Sequence, residues 1–234
     1  IQTALIEDNY IHDFKTVPSS GDHADMIQVM NLGNSTSSDL VFRGNTFDIG
    51  EGNTVQTLFM RNQYVDQNDA GIANYYQNVT IEENVILNGH AHGITVGETN
   101  NLVVSNNTVL SINPDDREYS SAPYITVAGG SQNVTITDNV SQSVSGYTNQ
   151  AGWQVSGNVL VQNTDPQKSG FYENEFVTST LDDDDVEAIT VRADSAIAAG
   201  DAGAERLLSG QSDNNVEALF NLSSTEHDAQ KIVF

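Results

Sequence analysis

The chain has 234 residues, no cysteine, and 32 acidic against 8 basic side chains, which gives a formal net charge of −24. This length suits one substantial domain, and the charge disfavours nucleic acid and anionic membranes as partners, because both are negatively charged themselves. Without cysteine there are no disulfides and no thiol nucleophile, and no run approaches the roughly 18 apolar residues that a membrane span needs.

One short motif recurs along most of the chain. It reads as an apolar residue, two further residues, an asparagine and an apolar run, and its asparagines are Asn9, Asn45, Asn84, Asn107, Asn139 and Asn158. In the most compact copy, from Asn78 to Glu98, Val79 and Ile81 alternate with polar residues. This alternation predicts strands, and the joints rich in Asn and Gly predict turns. The shortest spacings indicate a repeat of about 20 residues.

Units this short cannot bury an apolar face alone, so we predict that they stack into about six coils with parallel strands. We expect the motif asparagine to take a left-handed backbone and to bond to its counterpart in the next coil. Over about Leu5 to Val177 the sequence thus resembles the right-handed parallel β-helix family, the pectate-lyase-like superfamily. The resemblance implies an all-β solenoid and leaves the chemistry open, because this scaffold hosts many functions.

The connections between the first and second strands of each coil differ in length. Coil one inserts KTVPSSG and coil four inserts INPDDREYSSA, whereas coil three has only NGHA. Because these connections leave the same edge of the stack, we expect the long ones to wall a cleft whose floor is the segment from Gly89 to His92.

Aromatic residues are concentrated in the insertion that follows coil two. Tyr64, Tyr75 and Tyr76 lie in it, and Trp153 follows in coil six. These rings either stack on sugar faces, since they offer apolar area with a polar edge, or pin the insertion to the solenoid.

Toward the C-terminus the strand pattern gives way to a helical one. Ser179 or Thr180 can cap a helix whose first turn holds Asp182 to Asp185, where carboxylates favour the positive end of the helix dipole. We therefore predict a β-helix over residues 1–178 and a helical cap or tail over residues 179–234 that covers an open solenoid end. The alternative for the acidic run is a solvated or calcium-binding patch.

Aligning the second strands of the coils places Ile27 over Leu58 and Ile94. The same alignment gathers polar and titratable side chains along one edge, namely Asp22, His23, Asp25, Gln56, His90 and His92. Coils one and three would lie about 10 Å apart, which fits a sugar ring or a metal with bridging water. We expect a nearby carboxylate to raise the pKa of an imidazole toward neutrality. The alternatives are turn-capping roles, or a zinc site formed by the two coil-three histidines and a carboxylate.

A second resemblance is narrower. HGITVGE, from His92 to Glu98, is similar to the histidine motif of polygalacturonase-type glycoside hydrolases, and HADMIQV, from His23 to Val29, is similar to their first aspartate motif. This resemblance implies that Asp25 is a catalytic carboxylate and that His92 is the motif histidine. The chain departs from the family on the coil between, where Gln56 stands in place of an aspartate pair, so the resemblance does not supply the further carboxylates that inverting hydrolysis needs.

Lyase or epimerase action on uronate polymers is the other chemistry that we consider. It needs a base, a proton donor and a cation that neutralises the sugar carboxylate. The candidates are His90 or His92 as base, Tyr119 or Tyr124 as donor, and Arg117 with Lys15 as clamp, with calcium on Asp115 or Asp116 as an option.

The sequence therefore predicts a polysaccharide-recognising β-helix, extracellular or on a virion surface, that acts on its glycan as a lyase, epimerase or glycosidase. The alternative is a non-catalytic glycan-binding module of a virion spike, tailspike-like protein or adhesin, for which a trimer would be natural. A purely structural solenoid is the third hypothesis. We expect no obligatory cofactor, no nucleic-acid partner and no membrane insertion.

Overall fold

The computed structural model describes residues 1–17, 24–52, 55–112, 122–145, 150–177, 189–208 and 232–233. The chain winds through three sheets in which all strand pairs are parallel. This arrangement confirms the predicted all-β parallel solenoid.

Two sheets contain one strand from each of six coils, as predicted. Sheet A comprises β1 (Ala4–Glu7), β4 (Ser38–Arg43), β7 (Tyr76–Glu82), β10 (Thr99–Ser105), β13 (Gln132–Thr137) and β15 (Trp153–Ser156). Sheet B comprises β2 (Tyr10–His12), β5 (Thr46–Asp48), β8 (Val85–Asn88), β11 (Thr108–Ser111), β14 (Val140–Ser141) and β16 (Val159–Leu160).

The third sheet carries the candidate site. Sheet C comprises β3 (Asp25–Met30), β6 (Gln56–Arg61), β9 (His92–Val96) and β12 (Tyr124–Val127), and β17 (Ile232–Val233) pairs with the free edge of β3. The helices are α1 (Gln63–Asn68), a 3-10 turn (Ile72–Asn74), α2 (Tyr172–Glu175), α3 (Ala196–Gly200) and α4 (Glu205–Leu208).

Inward-facing side chains stack in columns along the solenoid axis. In sheet A, Leu40, Val79 and Leu102 occupy equivalent positions on successive coils and are buried. Burying an aliphatic side chain of this size contributes about 1.5 to 3 kcal/mol. The periodic pattern therefore fixes which coil positions form the core.

A ladder of asparagines runs along the turn between sheets A and B. The backbone and side-chain nitrogens of Asn84 donate to Asn107 Oδ1 at 3.1 and 2.9 Å, and those of Asn107 donate to Asn139 Oδ1 at 3.0 and 2.9 Å. Each side chain also bonds to a strand carbonyl, as Asn107 Nδ2 does to Ile81 O at 2.9 Å. The predicted ladder is confirmed.

The prediction that the ladder asparagine itself adopts the left-handed backbone is wrong. Positive φ falls on the residue before it in each coil: Asp8, Gly44, Glu83, Asn106, Asp138 and Gly157. The ladder side chain must turn inward to reach the next coil, so the sharp left-handed step is taken one residue earlier.

Tyr76 belongs to the core. It is fully buried in β7, and its hydroxyl lies 3.2 Å from Val29 O and 3.0 Å from Arg61 O. For this ring the structure supports the pinning role over sugar stacking.

The C-terminal segment, residues 189–208, lies along the side of the solenoid and not over its end. Gly203 N donates to Asp138 O at 2.7 Å, Ala204 N to Thr108 Oγ1 at 3.0 Å and Glu205 N to Glu83 Oε2 at 2.7 Å. Consecutive residues thus contact coils five, four and three. This segment covers outward-facing side chains of sheet B, which explains why β8 is buried on both faces.

The described part of the predicted cap or tail contains two short helices, α3 and α4, and lies along the side of the solenoid. The helix expected to begin at Ser179 or Thr180, with Asp182 to Asp185 in its first turn, lies outside the described residues. Helical structure already occurs before residue 179, at α2. A weak apolar stripe does not identify the face that it covers, so the sequence could not place the segment.

Candidate functional site

Sheet C has Ile27, Leu58 and Ile94 at equivalent positions on three coils. Asp25 pairs with Gln56 and Ile27 with Leu58, and Leu58 pairs in turn with Ile94. His92 lies two residues before Ile94, as Gln56 lies two residues before Leu58. Coils in a parallel stack are about 4.8 Å apart, so Asp25 and His92 are separated by about 10 Å along the axis.

Coil four adds a further member, because His92 pairs directly with Tyr124. We call the set Asp25, Gln56, His92 and Tyr124 the sheet C column. It occupies equivalent positions on coils one to four and so follows the solenoid axis.

A β-bulge turns His92 away from the core. Tyr124 pairs with His92 and Ile125 with Ile94, which leaves Gly93 unpaired between them. A Cβ on Gly93 would lie 2.8 Å from Val109 Cγ1 and 2.9 Å from Pro123 Cβ. This position needs glycine because it approaches the core closely, and the bulge directs the neighbouring imidazole to the outer face.

The surroundings of His92 keep its ring neutral. Its Nδ1 lies 2.8 Å from Thr95 Oγ1, and its ring meets the Phe59 ring edge to face at a centroid distance of 5.2 Å. Burial lowers the pKa of His92 below its ordinary value of 6.5. The expectation of a carboxylate that raises this pKa is corrected here, because loss of hydration dominates over any ion pair.

His90 is held against His92. The two rings stack at a centroid distance of 5.3 Å, and His90 Nδ1 accepts a hydrogen bond of 3.1 Å from the backbone N–H of His92. A neutral His90 ring therefore carries its proton on Nε2. As predicted, the two histidines lie side by side.

The part of the sheet C column on coils one and two is buried. Asp25 is fully buried, and its Oδ2 accepts a hydrogen bond of 2.9 Å from Gln28 Nε2. Gln56 is 8% exposed, and its Oε1 has no hydrogen-bond donor within the part of the chain that the structure describes. A buried carbonyl without a donor is costly, so this oxygen needs an explanation.

The remaining predicted site residues are only partly placed. Lys15 is exposed, and the coil-three connection is as short as predicted, spanning Gly89 to Ala91 between β8 and β9. Most of the long connections predicted to wall the cleft, in coils one and four, lie outside the described residues. Six candidates lie outside the described residues: Asp22, His23, Asp115, Asp116, Arg117 and Tyr119.

Within the described ranges, no group of three or more His, Asp or Glu side chains is arranged to hold a metal ion. The zinc site considered for His90 and His92 therefore lacks a described carboxylate ligand. No helix in these ranges is long and apolar enough to cross a membrane.

Sequence reasoning missed the neighbours of the column on the outer face. Phe59 and Thr95 pair with each other and continue the line begun by Gln28. Strict alternation from the inward residues of β6 and β9 would have found them, because each follows a core position by one residue.

Comparison with known proteins supports the architecture. A family model described as right handed beta helix region matches residues 2–141, which is more than half of the chain. No curated protein and no solved structure matches the chain significantly.

Proposed function

The chain belongs to the right-handed β-helix family, and on this scaffold we propose that the outer face of sheet C at coils one to four binds an extended polysaccharide. The observation that carries this proposal is the sheet C column, with Asp25, Gln56, His92 and Tyr124 at equivalent positions on successive coils. A ligand lying along the axis would meet the partly buried His92 and Tyr124 on neighbouring coils, about 4.8 Å apart, while Gln56 and Asp25 are buried on the two coils before them.

The chemistry of this face suits sugars, which combine hydroxyl groups with apolar ring faces. The partly buried Phe59 ring and the stacked imidazoles offer apolar area, while Gln56, Thr95 and Tyr124 offer hydrogen-bonding groups. Such a mixture of a few polar groups with aromatic surface is typical of small-ligand and glycan sites.

Recognition is better supported than hydrolysis. Inverting glycosidases need two carboxyl groups about 6.5 to 9.5 Å apart. Among the four members of the column, Asp25 is the sole carboxylate, and the amide of Gln56 stands where the similar hydrolases carry aspartate. An amide neither ionises nor activates water as a general base.

Lyase or epimerase action is the second candidate function. A neutral His92 whose Nδ1 is engaged by Thr95 keeps Nε2 for proton abstraction, and Tyr124 lies one coil away as a proton donor. This proposal includes His90 as an alternative base and Tyr119 as an alternative proton donor. It also includes a clamp of Lys15 and Arg117 on the sugar carboxylate, with optional calcium.

The biological setting is part of the same proposal. The strongly acidic composition supports a protein that works outside the cell or on a virion surface. There it would act on a glycan, or bind one as a module of a spike, tailspike-like protein or adhesin, with a trimer as the assembly natural to a spike.

A glycan-binding panel with product assays tests the proposal. We expect the wild type to bind at least one polysaccharide, His92→Ala to weaken that binding about tenfold or more, as loss of a central contact does, and Thr137→Ala on the outer face of sheet A to leave it unchanged. Release of reducing ends or unsaturated products would establish turnover. Equal binding by wild type and His92→Ala would contradict the placement of the site.

A further inference from the structure

We infer that the polysaccharide bound by the sheet C column is uncharged, and that Gln56 selects it by accepting a hydrogen bond from the primary hydroxyl of a sugar, the group that a uronic acid replaces with a carboxylate. The inference rests on the proposed function and adds the class of glycan to it. It also names the residue that discriminates between classes.

The first step is electrostatic. The chain carries 32 acidic against 8 basic side chains, so a polyuronate, with one negative charge per sugar, is repelled over long distances. Within the column the side chains are a carboxylate, an amide, an imidazole kept neutral by burial, and a phenol. None of these four is a cation that would neutralise a sugar carboxylate near pH 7.

The second step concerns the hydrogen bonds that the site can offer. Gln56 Oε1 is buried and has no donor in the described part of the chain, and the carboxylate of Asp25 lies on the paired position of the neighbouring coil. Both groups accept hydrogen bonds. The primary hydroxyl of a neutral sugar can donate to Gln56 Oε1, whereas the carboxylate that replaces it in a uronic acid is itself an acceptor and cannot.

The charge of the protein and the acceptors in the site both favour a neutral glycan. A ligand that lacks the matching donor leaves a buried acceptor unpaired, which costs binding free energy. Such a ligand is therefore rejected far more strongly than one that differs only by a small apolar group. Replacement of a hydroxymethyl group by a carboxylate is therefore the change to which this site should respond most.

A matched pair of polymers tests this inference. One is a linear homopolymer of uronic acid, and the other is the same polymer after reduction of its carboxylates to primary alcohols. Binding of both is measured by isothermal titration calorimetry at low salt, with chelator and separately with added calcium. We expect the neutral form to bind at least about tenfold tighter, with the difference shrinking as salt screens the repulsion.

Variants isolate the role of Gln56. Gln56→Leu removes the acceptor at similar size and should weaken binding of the neutral form about tenfold. Gln154→Leu makes the same change at an exposed position on the outer face of sheet A and should have no effect. Thermal unfolding of both variants verifies that each is folded.

Three results would overturn the inference. Equal or tighter binding of the acidic form, including binding that depends on calcium, refutes it while leaving the proposed function in place. Unchanged affinity of Gln56→Leu refutes the role of Gln56. Failure to bind any neutral or acidic glycan removes the proposed function and this inference with it.

Discussion

The imidazole of His92 should make the stability of the protein depend on pH. Burial lowers its pKa in the folded state below 6.5, so between the two pKa values the unfolded chain binds more protons at this ring. The neutral ring's contribution to stability is therefore complete above about pH 6.5 and is lost as the pH falls through the folded pKa.

We predict that the wild type loses more stability between about pH 7 and about pH 5 than His92→Gln does, because the variant lacks this titration. Urea unfolding at three pH values measures the difference. Parallel pH profiles for the two proteins would contradict the burial of this ring.

The asparagine ladder should contribute strongly to stability at its centre. Asn107 is fully buried, accepts two hydrogen bonds from Asn84 and donates to Asn139 and to strand carbonyls. We predict that Asn107→Ala destabilises the fold by about 3 kcal/mol, because several buried groups lose their partners together.

The matched control is Asn9→Ala at the exposed first rung of the same ladder, where the side chain donates to Asn45 Oδ1 at 2.9 Å. Solvent can replace that bond, so we expect a loss of about 0.5 to 1 kcal/mol. Chemical unfolding compares the two variants, and similar losses would show that the interior of the ladder is not specially stabilising.

At the scale of elements, the C-terminal segment should depend on Gly203. This glycine has a φ of +86°, and a Cβ there would lie 2.6 Å from Thr108 Oγ1 and 2.9 Å from Val140 Cγ2. We predict that Gly203→Ala destabilises the protein by about 2 kcal/mol, because backbone strain adds to the close contact. Hydrogen exchange of β8 and β11 should accelerate as the cover loosens.

Gly200 provides the control within the same segment. It ends α3, and a Cβ there would meet Val159 Cγ2 at 3.8 Å, an ordinary contact. Gly200→Ala should be neutral or stabilise by about 0.5 to 1 kcal/mol through helix propensity. Greater damage from Gly200→Ala than from Gly203→Ala would contradict the described packing of the segment.

The sequence was sufficient to predict some elements of the fold and not others. The register of sheet C could be predicted because Ile27, Leu58 and Ile94 each begin the same alternating apolar pattern, whatever the length of the connection before it. The bulge at Gly93 could not, because its glycine is required by close approach to the core and not by a turn signal. The place of the C-terminal segment depends on contacts between residues far apart in the chain, such as Ala204 with Thr108.

At the scale of the whole molecule, the net charge of −24 should make folding depend on salt. Like charges repel in the compact state, and raising the salt from about 0.1 M to about 1 M shortens the Debye length from about 10 Å to about 3 Å. We predict that the midpoint of thermal unfolding rises by several degrees over this range.

A non-ionic solute at equal osmolality controls for effects that do not involve charge. We expect it to stabilise the protein less than the salt does. A midpoint that does not change with salt would show that the negative charges are spaced too widely to repel one another appreciably.

A hydrogen-exchange footprint tests most directly whether the glycan lies along the outer face of sheet C. With a bound oligosaccharide, we predict slower amide exchange in Asp25–Met30, Gln56–Arg61, His92–Val96 and Tyr124–Val127, and unchanged exchange in the strands of sheet A. Protection confined to sheet A or to the C-terminal segment would contradict the account.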